Sequence, residues 1–231
     1  MKYKILIWGA SSKTSIILNM IKENNLYFKD KKIRNSQVSF LVDPYLEDLK
    51  FKTKVPFINK KNQFKKCLKL SNSFITGIGG SHGKARDFIS QEFMKEKLKP
   101  LSLIHKYSYI DKTSKVGLGV QIMPNAVIHC DTKIGDFSIL NTSSTVDHEC
   151  DIGRGVHIMG GASVAGRVKI RDYVTIGTNA TIFPDIEISE GAYVGAGAVV
   201  RKNVGKNQIV VGNPSKFLKK NNHTVNLSFF K

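Results

Sequence analysis

Stepping by six residues from Ile104 meets isoleucine, leucine or valine at every stop as far as Val200, seventeen hexads without a break. Four residues after each stop comes a second series, from Ser108, Ser114, Val120 and Ala126 to Ala192, Ala198 and Val204, nearly all small or β-branched. A period this strict means a repeat architecture, in which no unit buries its apolar face alone and stacking supplies the core. The physical reading is a parallel β-helix. Each hexad is one short strand and a turn, and three hexads close a triangular coil. The aliphatic side chain points to the axis and stacks on its counterpart one coil later, with coils about 4.8 Å apart. Nearly six coils are implied, and spacing leaves their handedness open. Gly135, Gly153, Gly177 and Gly195, each following an aliphatic position, read as turn residues that need unusual backbone angles. Ile139, Met159 and Phe183 occupy outward positions and read as exposed apolar residues that an oligomer would cover.

Residues 1–100 carry a different pattern. YKILIWGA is a buried strand ending at Gly9, and SSKTSIILNMIKEN is a helix with a serine near its N-cap. QVSFLVDP is a second strand ending at Asp43, SFITGIGG a third ending at Gly79 and Gly80, and HGKARDFISQEFMKEK a second helix. Strand, helix, strand, strand, helix is the pattern of a small open α/β sheet, which binds ligands at the carboxyl ends of its strands. Gly9, Ser11, Lys13, Asp43 and Gly79 are therefore candidate substrate contacts. Gly9 to Lys13 opens a helix whose N–H groups suit an anion. Asp43 either accepts hydrogen bonds from a uracil or ribose, or is an ordinary turn residue before Pro44. A boundary falls near Lys99–Pro100, giving an α/β domain over 1–100, a β-helix over 101–218 and a tail over 219–231.

The 231-residue chain has a formal charge of +18, and residues 1–100 hold 21 Lys and Arg against 8 Asp and Glu. No RNP-like aromatic motif or helix-turn-helix signature accompanies that excess, so nucleic acid is not the expected partner. Nucleotides and coenzyme A fit the charge as well. No run reaches the roughly 18 apolar residues of a membrane span, and the N-terminus lacks a small-residue cleavage site, so a cytoplasmic protein is expected. Cys67, Cys130 and Cys150 show no CxxC pairing and read as buried thiols outside any disulfide or structural zinc site.

Within the coils, NTSSTVDHECDIGRGVHIMGGA places His148 beside Glu149, with His157 nearby. Histidine suits proton transfer near neutral pH, and a carboxylate on its other ring nitrogen would fix its tautomer. Adjacent residues on a strand point to opposite faces, so the two pair only where the coil turns. His148 stands third in its hexad, near that corner. The alternative is an exposed corner histidine stacked between Cys130 and Gly166, its neighbours one coil away. A zinc site built from His129, His148 and His157 is the weaker reading, because no Glu or Gln accompanies them in the pattern of the β-helix carbonic anhydrases; no metal is expected.

The hexad array, the HEC triplet and the closing VVGNPSK resemble the hexapeptide-repeat acyltransferases. With the α/β domain added, residues 1–218 resemble the two-domain bacterial sugar acetyltransferases of the PglD and NeuD type. That resemblance implies a left-handed β-helix, a homotrimer with active sites between protomers, acetyl-CoA as donor and a nucleotide-linked amino sugar as acceptor, in surface glycan biosynthesis. It implies His148 as catalytic base, Glu149 as its partner, Asn141 and His157 as further active-site residues, and Gly166 as the backbone N–H facing the acetyl carbonyl. Small residues including Gly177 and Gly195 would let a pantetheine arm lie on the backbone. Lys202 would pair with a coenzyme phosphate or lie on a solvated basic edge. GASSKT departs from the family, with Ser12 and Lys13 where it has glycine and histidine. Sugar O-acetylation of the sialic acid type, and a trimeric nucleotide-sugar-binding scaffold without catalysis, are the alternatives.

Overall fold

The computed structural model describes residues 2–222. The N-terminal unit runs β1 (Tyr3–Trp8), α1 (Ser12–Lys22), β2 (Leu26–Phe28), β3 (Lys31–Lys32), β4 (Ser36–Val42), β5 (Phe57–Ile58), α2 (Lys61–Leu70), β6 (Ser73–Thr76), α3 (Gly83–Lys95) and β7 (Lys99–Pro100). Five strands form a parallel sheet in the order β5-β4-β1-β6-β7. Alternation along β1 sends Ile5 and Ile7 to one face, where Ile17 and Met20 of α1 cover them. Leu6 and Trp8 point to the other, against Phe64 and Cys67 of α2 and Ile89 and Phe93 of α3. The third helix, α2, and the β2–β3 hairpin are absent from the strand-helix pattern read in the sequence. Four of the ten residues of α2 are lysine, and only Phe64 and Cys67, three apart, are buried.

After β8 (Ser102–Ile104) and as far as Val200 the chain winds in two-residue strands, one per hexad, that stack into three parallel sheets. Ile122, Leu140, Ile158, Ile176 and Val194 form one inward ladder, Ile128, Val146, Val164, Ile182 and Val200 a second, and Ile134, Ile152, Ile170 and Ile188 a third, all at most 3% exposed. The hydroxyls of the buried Thr132, Ser138 and Ser144 donate to the carbonyls of Asp147, Gly153 and Asn141 at 2.8, 2.9 and 2.7 Å, which is why small polar residues are tolerated there.

The corners correct the reading of the glycines. From Asn125 to Gly197 the third residue after each aliphatic stop has a positive φ, thirteen times in succession and with many residue types. Gly135, Gly153, Gly177 and Gly195 are not among these left-handed residues. They are glycine because the coils stack too closely for a side chain. A Cβ at Gly135 would stand 2.5 Å from the carbonyl carbon of Gly153, and one at Gly177 2.5 Å from the amide nitrogen of Ala196.

The three outer faces differ in chemistry. One presents Lys115, Lys133, Asp151, Lys169 and Glu187. The second, carrying Leu103, Gln121, Ile139, His157 and Thr175, is covered by the α/β domain: Gln121 donates to the Thr76 carbonyl at 2.6 Å. Ile139 is therefore buried and not exposed; Met159 is half-buried, and only Phe183 of the three is exposed. Cys130 is likewise half-buried, unlike Cys67 and Cys150. The third face carries Tyr109, Val127, Thr145, Ser163, Thr181 and Val199, with no charge.

At the N-terminal edge of the second face, β2 pairs antiparallel with β8. After Val200, Gln208–Val211 joins that face, and Lys216–Lys220 pairs antiparallel with it, running across residue 218. Most of the expected tail, 223–231, lies outside the described residues. No helix among the described residues is long and apolar enough to cross a membrane.

Because the new Cβ at residue 135 would press on backbone, Gly135→Ala should lower stability by about 1–3 kcal/mol. Gly160→Ala, whose Cβ would meet only the Thr142 carbonyl at 3.3 Å, should cost little. Urea midpoints of the two variants check this.

Candidate active site

Chemistry-bearing residues gather at two corners of the coil. At the first, Glu149 is one of the left-handed turn residues, with φ 57°. This turns its side chain back onto its neighbour, and His148 Nδ1 lies 2.9 Å from Glu149 Oε2. A carboxylate only accepts, so Nδ1 carries the proton and Nε2 keeps a lone pair. Asp147 accepts the His148 backbone N–H at 2.8 Å. The ring lies over Gly166, where a Cβ would fall 2.5 Å from Nε2; a glycine is required for the imidazole to take this place. One residue on, Arg167 holds Asp185 with two bonds of 2.7 and 2.8 Å. The His148 side chain is 36% exposed and Glu149 56%, so the pair stands open at the edge of the uncharged face. This arrangement can accept a proton from a nucleophile delivered at that edge.

The second corner meets the α/β domain. A cleft of about 460 Å³ is lined by Ser11, Ser12, Lys13 and Ile16 from the start of α1, Gly79, Gly80 and His82 from the loop after β6, and Met123, Asn141 and His157 from the coil. His157 is 4% exposed, and its Nδ1 donates to the Gly80 carbonyl at 2.8 Å. Burial, with Lys13 and Arg86 nearby, pulls its basicity down to about 3, so its ring is neutral at physiological pH. It is a buried interface histidine, not a surface one. Asn141 Oδ1 accepts the Thr142 N–H at 2.9 Å. Met123, Asn141, Met159, Gly177 and Gly195 follow one another up this corner, one coil apart, and only the lower members reach the cleft.

Gly9 and Asp43 stand behind the cleft. Asp43 accepts the N–H groups of Ala10 at 2.9 Å and Tyr45 at 3.0 Å, which pins the turn leading into α1. Lys202 is exposed, far along the coil from both clusters. His129 belongs to the His148 corner and His157 to the face under the α/β domain. Among the described residues no three His, Cys, Asp or Glu side chains converge on a point that would hold a metal.

One residue that builds the site was not read from the sequence. Arg86 is fully buried, and it donates from Nε to the Phe137 carbonyl at 2.6 Å, from Nη1 to Ile78 at 3.1 Å, and from Nη2 to Gly155 at 2.8 Å and Val156 at 3.3 Å. It fixes the carbonyls just before Gly79 and just before His157, so both walls of the cleft hang on one guanidinium. Burial lowers its basicity to about 9, against the opposing pull of Asp87. Asp87 in turn accepts the Tyr173 hydroxyl at 2.8 Å and faces Arg154 at 3.5 Å. Beside it Gly83 lets α3 touch the coil, because a Cβ there would overlap the Gly155 carbonyl oxygen.

Residues 149–184 match the bacterial transferase hexapeptide (six repeats) family. No curated protein sequence matches the chain. Among solved structures, the chain is similar to a mutant of perosamine N-acetyltransferase from Caulobacter crescentus in complex with CoA and GDP-perosamine, at 20% identity and TM-score 0.81 over 94% of this chain and 97% of that one. It is similar to the acetyltransferase domain of PglB from Neisseria gonorrhoeae in complex with acetyl-CoA, at 23% identity and TM-score 0.79 over 94% and 100%. WeeI from Acinetobacter baumannii matches at 26% identity and TM-score 0.78 over 93% and 99%. The fold is thus a small α/β domain on a left-handed hexapeptide-repeat β-helix. This chain shares that two-domain architecture along nearly all of its length with sugar N-acetyltransferases.

The depressed basicity of His157 has a measurable consequence. The unfolded chain binds a proton at this residue near pH 6.5 and the folded chain only near 3. Stability from this source is complete above about 6.5 and falls as pH drops toward 3. His157→Gln should flatten that part of the pH–stability curve, measured by thermal unfolding between pH 4 and 7.

Proposed function

We propose that the protein is an acetyl-CoA-dependent N-acetyltransferase acting on the amino group of a nucleotide-linked amino sugar, with His148 as the general base. The single observation that carries this reading is the half-exposed His148–Glu149 pair lying over Gly166, with Nδ1 held by the carboxylate and Nε2 beside the glycine. Two solved structures of this fold with CoA or acetyl-CoA bound are a perosamine N-acetyltransferase and the acetyltransferase domain of PglB; the first of these favours an amine acceptor over a hydroxyl. In the reaction the amine nitrogen bonds to the acetyl carbonyl carbon, the C–S bond breaks, the proton passes from nitrogen to His148 Nε2, and coenzyme A departs as its thiol after taking up a proton. Glu149 keeps Nδ1 protonated and steadies the imidazolium that forms. The Gly166 backbone N–H is the group assigned to the carbonyl oxygen, where negative charge develops.

The two corners bear on assembly. Asn141 and the cleft lie at one edge of the uncharged face and His148 at the other, so one copy does not bring its own base to its own cleft. The uncharged face between them, with Tyr109 and Phe183 exposed at its margins, is the surface on which three copies would pack, each offering His148 toward a neighbour's cleft.

Thiol release from acetyl-CoA with a panel of UDP-, GDP- and dTDP-linked amino sugars tests the activity. Turnover of at least one is expected, with His148→Ala slower by about 10²-fold or more and Glu149→Ala affected less; no turnover of any amino sugar would overturn the reading. Light scattering should give a trimer. Ser163→Arg, which places a charge on the uncharged face, should yield folded but inactive monomers, and a monomeric wild type would contradict the assembly.

A further inference from the structure

The cleft contains groups that the acetyl-transfer step does not use and that the protein itself leaves without partners. His157 Nε2 is buried and has no hydrogen-bond partner. Its Nδ1 is committed as donor to Gly80, so Nε2 offers a lone pair and seeks a donor. The Lys13 side chain crosses Gly79, where an added Cβ would meet Lys13 Cδ at 3.3 Å. Among the described residues no carboxylate pairs with its ammonium group. The same cleft receives the start of α1, an eleven-residue helix whose N-cap Ser11 makes no side-chain cap; the Thr14 N–H is met by the Ser11 carbonyl at 2.9 Å, and the Ser12 and Lys13 amides before it have no acceptor within the helix. Two basic side chains, Lys13 and Arg86, thus stand close to one neutral acceptor, and no carboxylate lines the cleft. A half-buried charge left in this state costs free energy that a bound anion recovers.

We propose that Lys13 is the specificity-determining residue of the acceptor cleft: it binds an anionic oxygen of the acceptor, while His157 Nε2 accepts a hydroxyl or amine hydrogen from the same molecule. This rests on the nucleotide-sugar reading and sharpens it, because Lys13 then selects by charge and His157 by hydrogen-bond polarity. The anionic oxygen belongs either to the pyrophosphate or to a carboxylate on the sugar. Burial, reinforced by Arg86, holds the Lys13 ammonium well below the ordinary lysine range, and an anion beside it restores the charge. An anion bound beside this amine should therefore raise its affinity for a proton, so that binding takes up a proton wherever the free amine is partly deprotonated.

Isothermal titration in two buffers of different ionisation enthalpy, with UDP-, GDP- and dTDP-glucose and with UDP-glucuronate, tests this on the intact protein. Wild type should bind at least one ligand with net proton uptake. Lys13→Met should bind it about tenfold or more weakly and without uptake. Lys13→Arg should keep the affinity within a few-fold but lose the uptake, since a guanidinium is already charged. Lys13 dependence with the neutral sugars assigns the pyrophosphate, and dependence confined to UDP-glucuronate assigns the carboxylate. Thermal stabilisation by coenzyme A, retained in both variants, reports that they are folded. Equal affinity of Lys13→Met and wild type for every ligand, or no binding to wild type at millimolar concentration, overturns the proposal. Lys13-dependent binding without acetyl transfer to any amino sugar would keep this inference and sink the proposed activity, while transfer with an unchanged KM in Lys13→Met would do the reverse.

Discussion

The fully buried guanidinium of Arg86 is the joint on which the molecule turns. Among the described residues it pairs with no carboxylate, and it is satisfied by four carbonyls, three from the coil and one from the loop after β6. A buried charge is tolerated only when its donors are met in good geometry, so the α/β domain and the coil fit in one relative position. That position sets how far Gly80 stands from His157, and so which tautomer His157 adopts. Removing the fork would leave the Phe137, Ile78 and Gly155 carbonyls looking for donors, while Val156 keeps the Ile139 N–H at 2.8 Å, and would loosen both walls of the cleft together. A lysine in its place, with a single point of charge, would satisfy fewer of them.

The coil supplies placement of another kind. Its repeat puts a left-handed residue at each corner whatever the sequence, so the pairing of His148 with Glu149 uses a turn that the fold makes anyway. What is particular to this corner is the glycine one coil above it. The scaffold thus carries the conformational cost over the whole repeat, and the chemistry is added through side chains that the core does not need. By contrast, the cleft at the other corner is assembled from three distant segments, and its groups are buried, mutually perturbed and dependent on domain docking.

Legibility follows the same division. The seventeen aliphatic stops, the inward ladders and the corner placing His148 beside Glu149 could all be read from the sequence, because each depends on local spacing. The role of Gly135 and its kin could not, since close stacking and left-handed turns both select glycine and only the backbone tells them apart. Ile139 reads as exposed when the coil is taken alone and is buried on the face that the α/β domain, earlier in the chain, covers. Arg86 does carry a sequence signal: arginine is scarce in this lysine-rich chain, with 6 among 36 basic residues. Four of the six, Arg86, Arg154, Arg167 and Arg171, make directional contacts to carbonyls or carboxylates. In a composition so tilted to lysine, these four arginines mark places where a fork of donors is needed.

A parallel coil has no natural end, since every rung offers the next one a complete row of backbone donors and acceptors. In this chain the longest sheet finishes on antiparallel partners at both edges, the β2–β3 hairpin below and Lys216–Lys220 above, each rich in lysine. The other two sheets meet returning chain at their upper edge, through Val204 against Ile188 and through Gly212 and Ser215 against Val199. Reversed strand direction breaks the register that a second molecule would need to continue the stack, and the lysines repel a like-charged edge. The same backbone that could grow into a filament is thereby held to a discrete particle of fixed height.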